Sequence, residues 1–181
     1  PCDPIPPALA IAQALPTIVS RNRHAADDMV LSLTQIHAGT TDNVVPAKAY
    51  LNGTVRCFDE ALRDMVERRV REIADGHARA FGVRARVDYV REYPVTANDP
   101  GRARFAATVA AEVAPEVCAE AAPEMGAEDF SYMLAARPGA FMFLGQGAGP
   151  GLHQPGFDFN DAVAPLGASL LARLVERAQP L

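Results

Sequence analysis

The order in which hydrophobic periodicities follow one another confines this chain more than any other feature. An apolar stretch over Val30–Ile36 reads as a strand closed by Gly39. From Ala47 to Val55 a period of two takes over, with Ala47, Ala49, Leu51, Gly53 and Val55 set against Lys48, Tyr50, Asn52, Thr54 and Arg56. Such alternation buries one face of a strand and wets the other. Asp59 then caps a helix whose Leu62, Met65, Val66, Val70 and Ile73 form one stripe, with Asp64/Arg68 and Glu67/Arg71 spaced to pair at i,i+4. After Gly82 the period returns to two: Val83, Ala85, Val87 and Tyr89 alternate with Arg84, Arg86, Asp88 and Val90. A helix precedes the set. Asp3 and Pro4 open it, Ala8, Ile11, Ala12 and Leu15 give its period, and Pro16 kinks or ends it by removing a backbone donor. The predicted order is αββαβ. One strand in front would complete βαββαβ, the split ferredoxin-like unit, so the chain is expected to begin one element late.

The pattern breaks around Tyr93-Pro94 and Asn98, which places a domain boundary near residue 95 and divides the chain into 1–95 and 96–181. Asp99 and Pro100 open a helix with Phe105, Val109 and Val113 on one side. A short helix is predicted over Glu128–Ala136, stopped by Arg137-Pro138-Gly139. Ala140–Leu144 is a continuous apolar run of the kind buried on both faces of an α/β sheet. A Gly- and Pro-rich loop, Gly145–Phe159, leads to a last helix capped by Asn160 or Asp161 and carrying Val163, Leu166, Leu170, Leu174 and Val175.

Composition narrows the function classes. At 49% apolar and 22% charged, 181 residues build folded cores. A formal charge of −5 provides no electrostatic footprint for nucleic acid or an anionic membrane. No apolar run approaches the roughly 20 residues that span a bilayer, and a cytoplasmic location is expected. Cys2, Cys57 and Cys118 are far apart and outside any CxxC pair, so they indicate buried thiols rather than a disulfide framework or a zinc-cysteine cluster.

Four places carry candidate chemistry. The glycines after the apolar run fail GxGxxG in both registers, ending on Pro150 or Leu152, so a nucleotide loop is not indicated. Within that loop His153 follows the end of the predicted strand, where ligands sit in open α/β sheets, and neutral imidazole is a common metal ligand. A solvated loop histidine fits the same spacing. Glu128 and Asp129 follow Gly126 at a helix start, where capping and dipole complementarity also account for them. Asn43 and Arg56 offer an amide and a planar guanidinium suited to a substrate carboxylate, although an exposed strand arginine is commonplace. His24, His37 and His77 share no ligand spacing and read as structural or solvated.

Taken together, Asp3-Pro-Ile5, Thr17-Ile-Val-Ser-Arg-Asn22, Ile36-His-Ala-Gly-Thr40, Asn43-Val-Val-Pro46, Gly53-Thr-Val-Arg56, Tyr93-Pro94 with Asn98, Gly126-Ala-Glu-Asp-Phe130 and Leu152-His153 through Phe157-Asp-Phe-Asn-Asp161 resemble one family. It is the aminoacylase, hippurate hydrolase and carboxypeptidase G group, and most closely its hippurate hydrolase and auxin-conjugate hydrolase branch. The resemblance implies an α+β, ferredoxin-like lid and dimerisation domain over 1–95, its first strand missing, followed over 96–181 by the C-terminal part of an α/β zinc-peptidase-like catalytic domain. It implies His153 as a metal ligand, Asn43 and Arg56 as lid residues that hold the substrate's carboxylate end at the neighbouring subunit's site, and Glu128 and Asp129 as pocket-lining.

The activity so implied is cleavage of the amide bond of N-acyl amino acids or small peptide conjugates by a homodimer with two divalent ions per full-length subunit. Zinc and manganese are the expected metals, with cobalt and nickel also able to accept imidazole and carboxylate ligands. The remaining ligands, the base glutamate and an oxyanion histidine are expected before Pro1, so that this chain alone is expected to be inactive. The rival expectation is a non-catalytic dimerisation or small-molecule-sensing module, since βαββαβ units also serve as sensors.

Overall fold

The computed structural model describes residues 2–179 and separates the chain into units of residues 1–95 and 96–181. In the first unit, Asp3 Oδ1 accepts the Ile5 N–H at 2.9 Å at the start of α1 (Ile5–Ala14). Pro16 divides this helix from α2 (Thr17–Arg21), and the Thr17 hydroxyl satisfies the Ala14 carbonyl at 2.6 Å across the break. Strands β1 (Met29–Ala38) and β2 (Ala49–Cys57) then pair antiparallel, with Met29 opposite Cys57 and Ala38 opposite Ala49. Helix α3 (Glu60–Ala80) follows, its first turn closed by Asp59 Oδ1 accepting the Leu62 N–H at 2.8 Å. Gly82, at φ +70°, takes the left-handed conformation after its end.

The helices cover one face of the hairpin. Leu15, Ile18, Met29, Val66 and Ile73 form the buried cluster, with Ile18 and Val66 wholly out of water, and Leu31, Leu33, Val55 and Cys57 pack against it. Burial raises the affinity of the Cys57 thiol for its proton, which keeps it a packing group rather than a nucleophile. One irregularity sets the hairpin's phase. The register jumps from Leu33 opposite Gly53 to Gln35 opposite Asn52, leaving Thr34 as the extra residue of a bulge. Leu31 and Leu33 are thereby followed on the same face by Ile36 and Ala38, so the bulge absorbs a one-residue slip in the apolar pattern.

Two expectations need correction here. Residues 83–90 keep a strand's alternation in burial, with Val83, Ala85, Val87 and Tyr89 half-buried, but they form no third strand among the described residues. A strand exists through a neighbour's N–H and C=O groups, and β1 and β2 pair with each other. Side chains hold the segment instead: Arg71 donates to the Val87 carbonyl at 2.8 Å, and Arg91 pairs with Asp64 and Glu67 at 2.6 and 2.7 Å. The split βαββαβ unit is therefore not completed, and the unit is a mixed α/β arrangement on a two-stranded sheet. The expected Asp64/Arg68 pair is absent for the same reason, since Asp64 is taken by Arg91 and Arg68 lies 3.8 Å from Glu72; Glu67/Arg71 does form, at 2.8 Å.

In the second unit, Asp99 Oδ1 accepts the Arg102 N–H at 2.8 Å to cap α4 (Pro100–Val113). Helix α5 (Phe130–Ala136) and a 3-10 turn (Asp161–Val163) running into α6 (Ala164–Ala178) complete its regular structure. Ala106, Val109 and Ala110 of α4 are buried. Glu112 ties α4 to α6 by accepting from Arg173 Nε at 2.7 Å and Arg177 Nε at 2.9 Å. The run Ala140–Leu144 is not the doubly buried strand expected of it. No ladder reaches it among the described residues, and Phe143 is 76% exposed, because burial on both faces needs strands alongside and helices above and below.

Three stability tests follow. A Cβ at Gly53 would collide with the Ser32 carbonyl oxygen across the hairpin, so Gly53→Ala should cost about 1–3 kcal/mol in denaturant titration. Gly76, within α3 and with open space around it, should instead stabilise by roughly 0.5–1 kcal/mol when changed to Ala. Arg177 and Arg173 hold the Glu112 carboxyl below the ordinary carboxylate range. A depressed folded-state value adds stability above the unfolded one and loses it as pH falls through the folded one. Thermal unfolding of Glu112→Gln should accordingly depend less on pH below about pH 4 than the wild type does.

Candidate functional site

The five candidate residues fall in both units. Asn43 lies in the loop joining β1 to β2, exposed, with its Oδ1 accepting from the Thr41 hydroxyl at 3.0 Å. Arg56 lies near the other end of β2, opposite Val30, on the polar face that carries Thr54, Asn52 and Tyr50. From Ala49, where the loop rejoins the sheet, to Arg56 is seven positions, or roughly 23 Å of strand. The hairpin thus sets the two at opposite ends rather than at one point. His37 stacks on Tyr50 with ring centroids 6.2 Å apart, and His77 Nδ1 lies 2.9 Å from the Ile73 carbonyl in α3, which accounts for both histidines structurally.

Glu128 and Asp129 stand together before α5. Glu128 Oε1 accepts the Phe130 N–H at 3.2 Å, while Asp129 occupies the N-cap position with no side-chain capping bond. The capping explanation therefore holds for Glu128 and not for Asp129. Behind this turn Phe130 meets Phe141 at 5.7 Å, and Phe141 meets Phe143 edge-on at 5.2 Å. Asn98 completes the support: its amide donates to the Phe141 carbonyl at 2.9 Å and accepts the Phe141 N–H at 2.7 Å, matching both backbone groups as a strand neighbour does.

His153 sits in the exposed loop beyond the apolar run. The Gln154 N–H donates to the Gly151 carbonyl at 3.2 Å, which makes Gly151–Gln154 a four-residue turn with His153 third. Its φ is +64°, and among the described residues it is the one non-glycine in that region. With Leu152 at ordinary negative φ this is a type II turn, whose third position favours glycine. Gln154 locks the turn, its Oε1 accepting the Gly151 N–H at 3.0 Å. A shallow cavity of about 450 Å³ adjoins the base of the loop, lined by Gln146, Gly149, Asp158, Asn160 and Asp161. The sequence marked Asn160 and Asp161 only as helix caps and Asp158 only within a family motif, and it gave no sign of the Gln146–Asn160 pair, whose partners lie at the two ends of the glycine-rich loop.

Among the described residues no group of three or more His, Cys, Asp or Glu side chains converges to hold a metal ion. A zinc site takes three or four protein ligands, so these residues do not by themselves fit a complete metal centre. A second cavity, about 520 Å³, lies along α3 and is lined by the ion-paired Asp64, Glu67, Arg71 and Arg91, which occupy one another. No helix of the described residues is long and apolar enough to cross a membrane.

A family model described as Peptidase family M20/M25/M40 matches residues 7–177. The chain is 32% identical over 172 residues to an N-acetylcysteine deacetylase of Bacillus subtilis, covering 95% of this chain and 45% of that protein. It is 31% identical over 187 residues to an IAA-amino acid hydrolase ILR1-like protein of Arabidopsis thaliana, covering 97% and 42%. Among solved structures it resembles a Bacillus subtilis dinuclear metal binding peptidase from the M20 family, with a TM-score of 0.75, 30% identity, and coverage of 96% and 45%. The chain spans less than half the length of these relatives.

The strained turn makes its own prediction. Glycine enters the left-handed region without the roughly 1–2 kcal/mol a Cβ costs there, and returns part of that gain to unfolded-chain entropy. His153→Gly should leave stability unchanged or raise it by up to about 1 kcal/mol in denaturant titration, whereas the β-branched His153→Val should lower it by about 1–2 kcal/mol.

Proposed function

Because the chain belongs to peptidase family M20/M25/M40, we propose that it is the C-terminal part of a metal-dependent amidohydrolase cleaving N-acyl amino acids or small peptide conjugates. The relatives' names support the substrate class, being deacetylases and an amino acid conjugate hydrolase. The observation that carries the reading is His153, held at the third position of a locked turn where its Cβ costs energy. A strained, exposed, polar residue in a glycine-rich loop is better explained by what its side chain does than by what it adds to folding.

In this reading His153 is one ligand of a binuclear site, with zinc or manganese as the metals, and the other ligands come from polypeptide outside residues 2–179. Bound divalent ions supply Lewis-acid polarisation and an activated water. Arg56, on the outer polar face of β2, takes the substrate's carboxylate end, and Asn43 makes a separate contact at the other end of the hairpin rather than sharing one clamp. Asp129, without a capping bond, and Glu128 line the substrate pocket. The first unit is a lid through which the protein forms a homodimer, and hippurate-like amides are the substrates expected from the branch the sequence resembles.

The test is hydrolysis of N-acetyl and N-benzoyl amino acids by the metal-loaded full-length protein. His153→Ala should lower kcat/KM by about a hundredfold or more, close to 2.7 kcal/mol of transition-state stabilisation. This chain alone should turn over neither substrate. Full activity in His153→Ala would sink the ligand assignment. Binding of free amino acids, unaffected by Arg56→Ala and without any turnover, would favour a sensing module instead.

A further inference from the structure

Asn160 stands where the loop carrying His153 returns to helix, and it makes two separable sets of bonds. Its Oδ1 accepts the Ala162 N–H at 3.1 Å, which caps the 3-10 turn leading into α6. Its Nδ2 donates to the Gln146 carbonyl at 2.9 Å, and its own N–H reaches Gln146 Oε1 at 3.4 Å. Gln146 and Asn160 are the two feet of the loop, fourteen residues apart. The bonds between them close it without any strand pairing. Closure entropy grows slowly with loop length, so a small number of bonds at the feet restricts everything between. Inside the closed loop Gln154 adds a second fastening, accepting the Gly151 N–H with its side chain and the Phe157 N–H, at 3.1 Å, with its backbone carbonyl. His153 lies within that inner turn.

We infer that Asn160 is a positioning residue for His153: its amide clasp on Gln146 fixes the feet of the loop and with them the place and direction of the imidazole. The functional weight of this assignment rests on the proposed role of His153, while the clasp rests on the hydrogen bonds alone. The chemistry separates Asn160's two duties. Aspartate and serine are N-caps comparable to asparagine, but neither has an N–H to donate to Gln146.

The experiment compares amide hydrogen exchange and histidine ring resonances in this chain and its Asn160→Asp, Asn160→Ser and Asn160→Ala variants. In the Asp and Ser variants, the Gly151, Gln154 and Phe157 amides should exchange several-fold faster while α6 keeps its wild-type protection. The His153 ring signals should shift from their wild-type positions as the backbone turn that carries the ring loosens, with His24, His37 and His77 as unmoved internal controls. Asn160→Ala, losing cap and clasp, should also accelerate the first turn of α6. Unchanged loop amides and an unmoved His153 in both cap-preserving variants would overturn the inference. So would acceleration spread evenly over loop and α6, which is the mark of a cap and nothing more. Full activity of the full-length His153→Ala protein would instead remove the functional reading and leave the exchange results, and the clasp, in place.

Discussion

A two-stranded antiparallel ribbon does not hold together in water by its own hydrogen bonds, so everything in the first unit depends on the apolar side chains that cover one of its faces. Ile18 from α2 and Val66 from α3 are wholly buried against the hairpin, joined by Leu15, Met29 and Ile73. Each such side chain contributes about 1.5–3 kcal/mol on leaving water. Pro16 matters to this arrangement because it ends α1 and lets α2 start afresh, which allows Leu15 and Ile18, on either side of the break, to enter one cluster.

Covering one face leaves the other free for chemistry. The bulge at Thr34 returns Ile36 and Ala38 to the face of Leu31 and Leu33, where Ile36 is nonetheless 48% exposed beyond the reach of the helices, and turns Gln35 and His37 to the outer face opposite Asn52 and Tyr50. Beyond Thr34, the polar character of β1's outer face is a product of that single inserted residue.

Local periodicity made much of this legible. The stripe of α3, its Asp59 cap, the phase of β2 and the break at Pro16 are all determined within a turn or two of sequence, and each is found as read. What could not be read were features that depend on a partner distant in the chain. Residues 83–90 and 140–144 carry the right pattern for strands, but pattern settles which side is buried and not whether a neighbour's N–H and C=O are at hand. Arg91 displaced the expected Asp64/Arg68 pair from outside the helix. At the candidate site, the sequence singled out His153 and the Glu128–Asp129 turn, yet nothing local revealed that His153 would sit in the left-handed region or that Asn98 and Asn160 would stand in for strand neighbours.

The unpaired run Ala140–Leu144 also governs how the chain behaves in the company of its own copies. Five consecutive uncharged residues, two of them phenylalanine, lie outside any strand ladder among the described residues and expose the Phe143 ring, the composition from which cross-β stacking grows. Arg137 and Pro138 guard its leading end as gatekeepers, one by charge and the other by its missing donor, while its trailing end meets only glycine and glutamine. Asn98 blunts one backbone position at Phe141 and leaves Phe143 and Leu144 open. Self-association of this chain is therefore a question of kinetics and concentration, decided at a segment five residues long and only half protected.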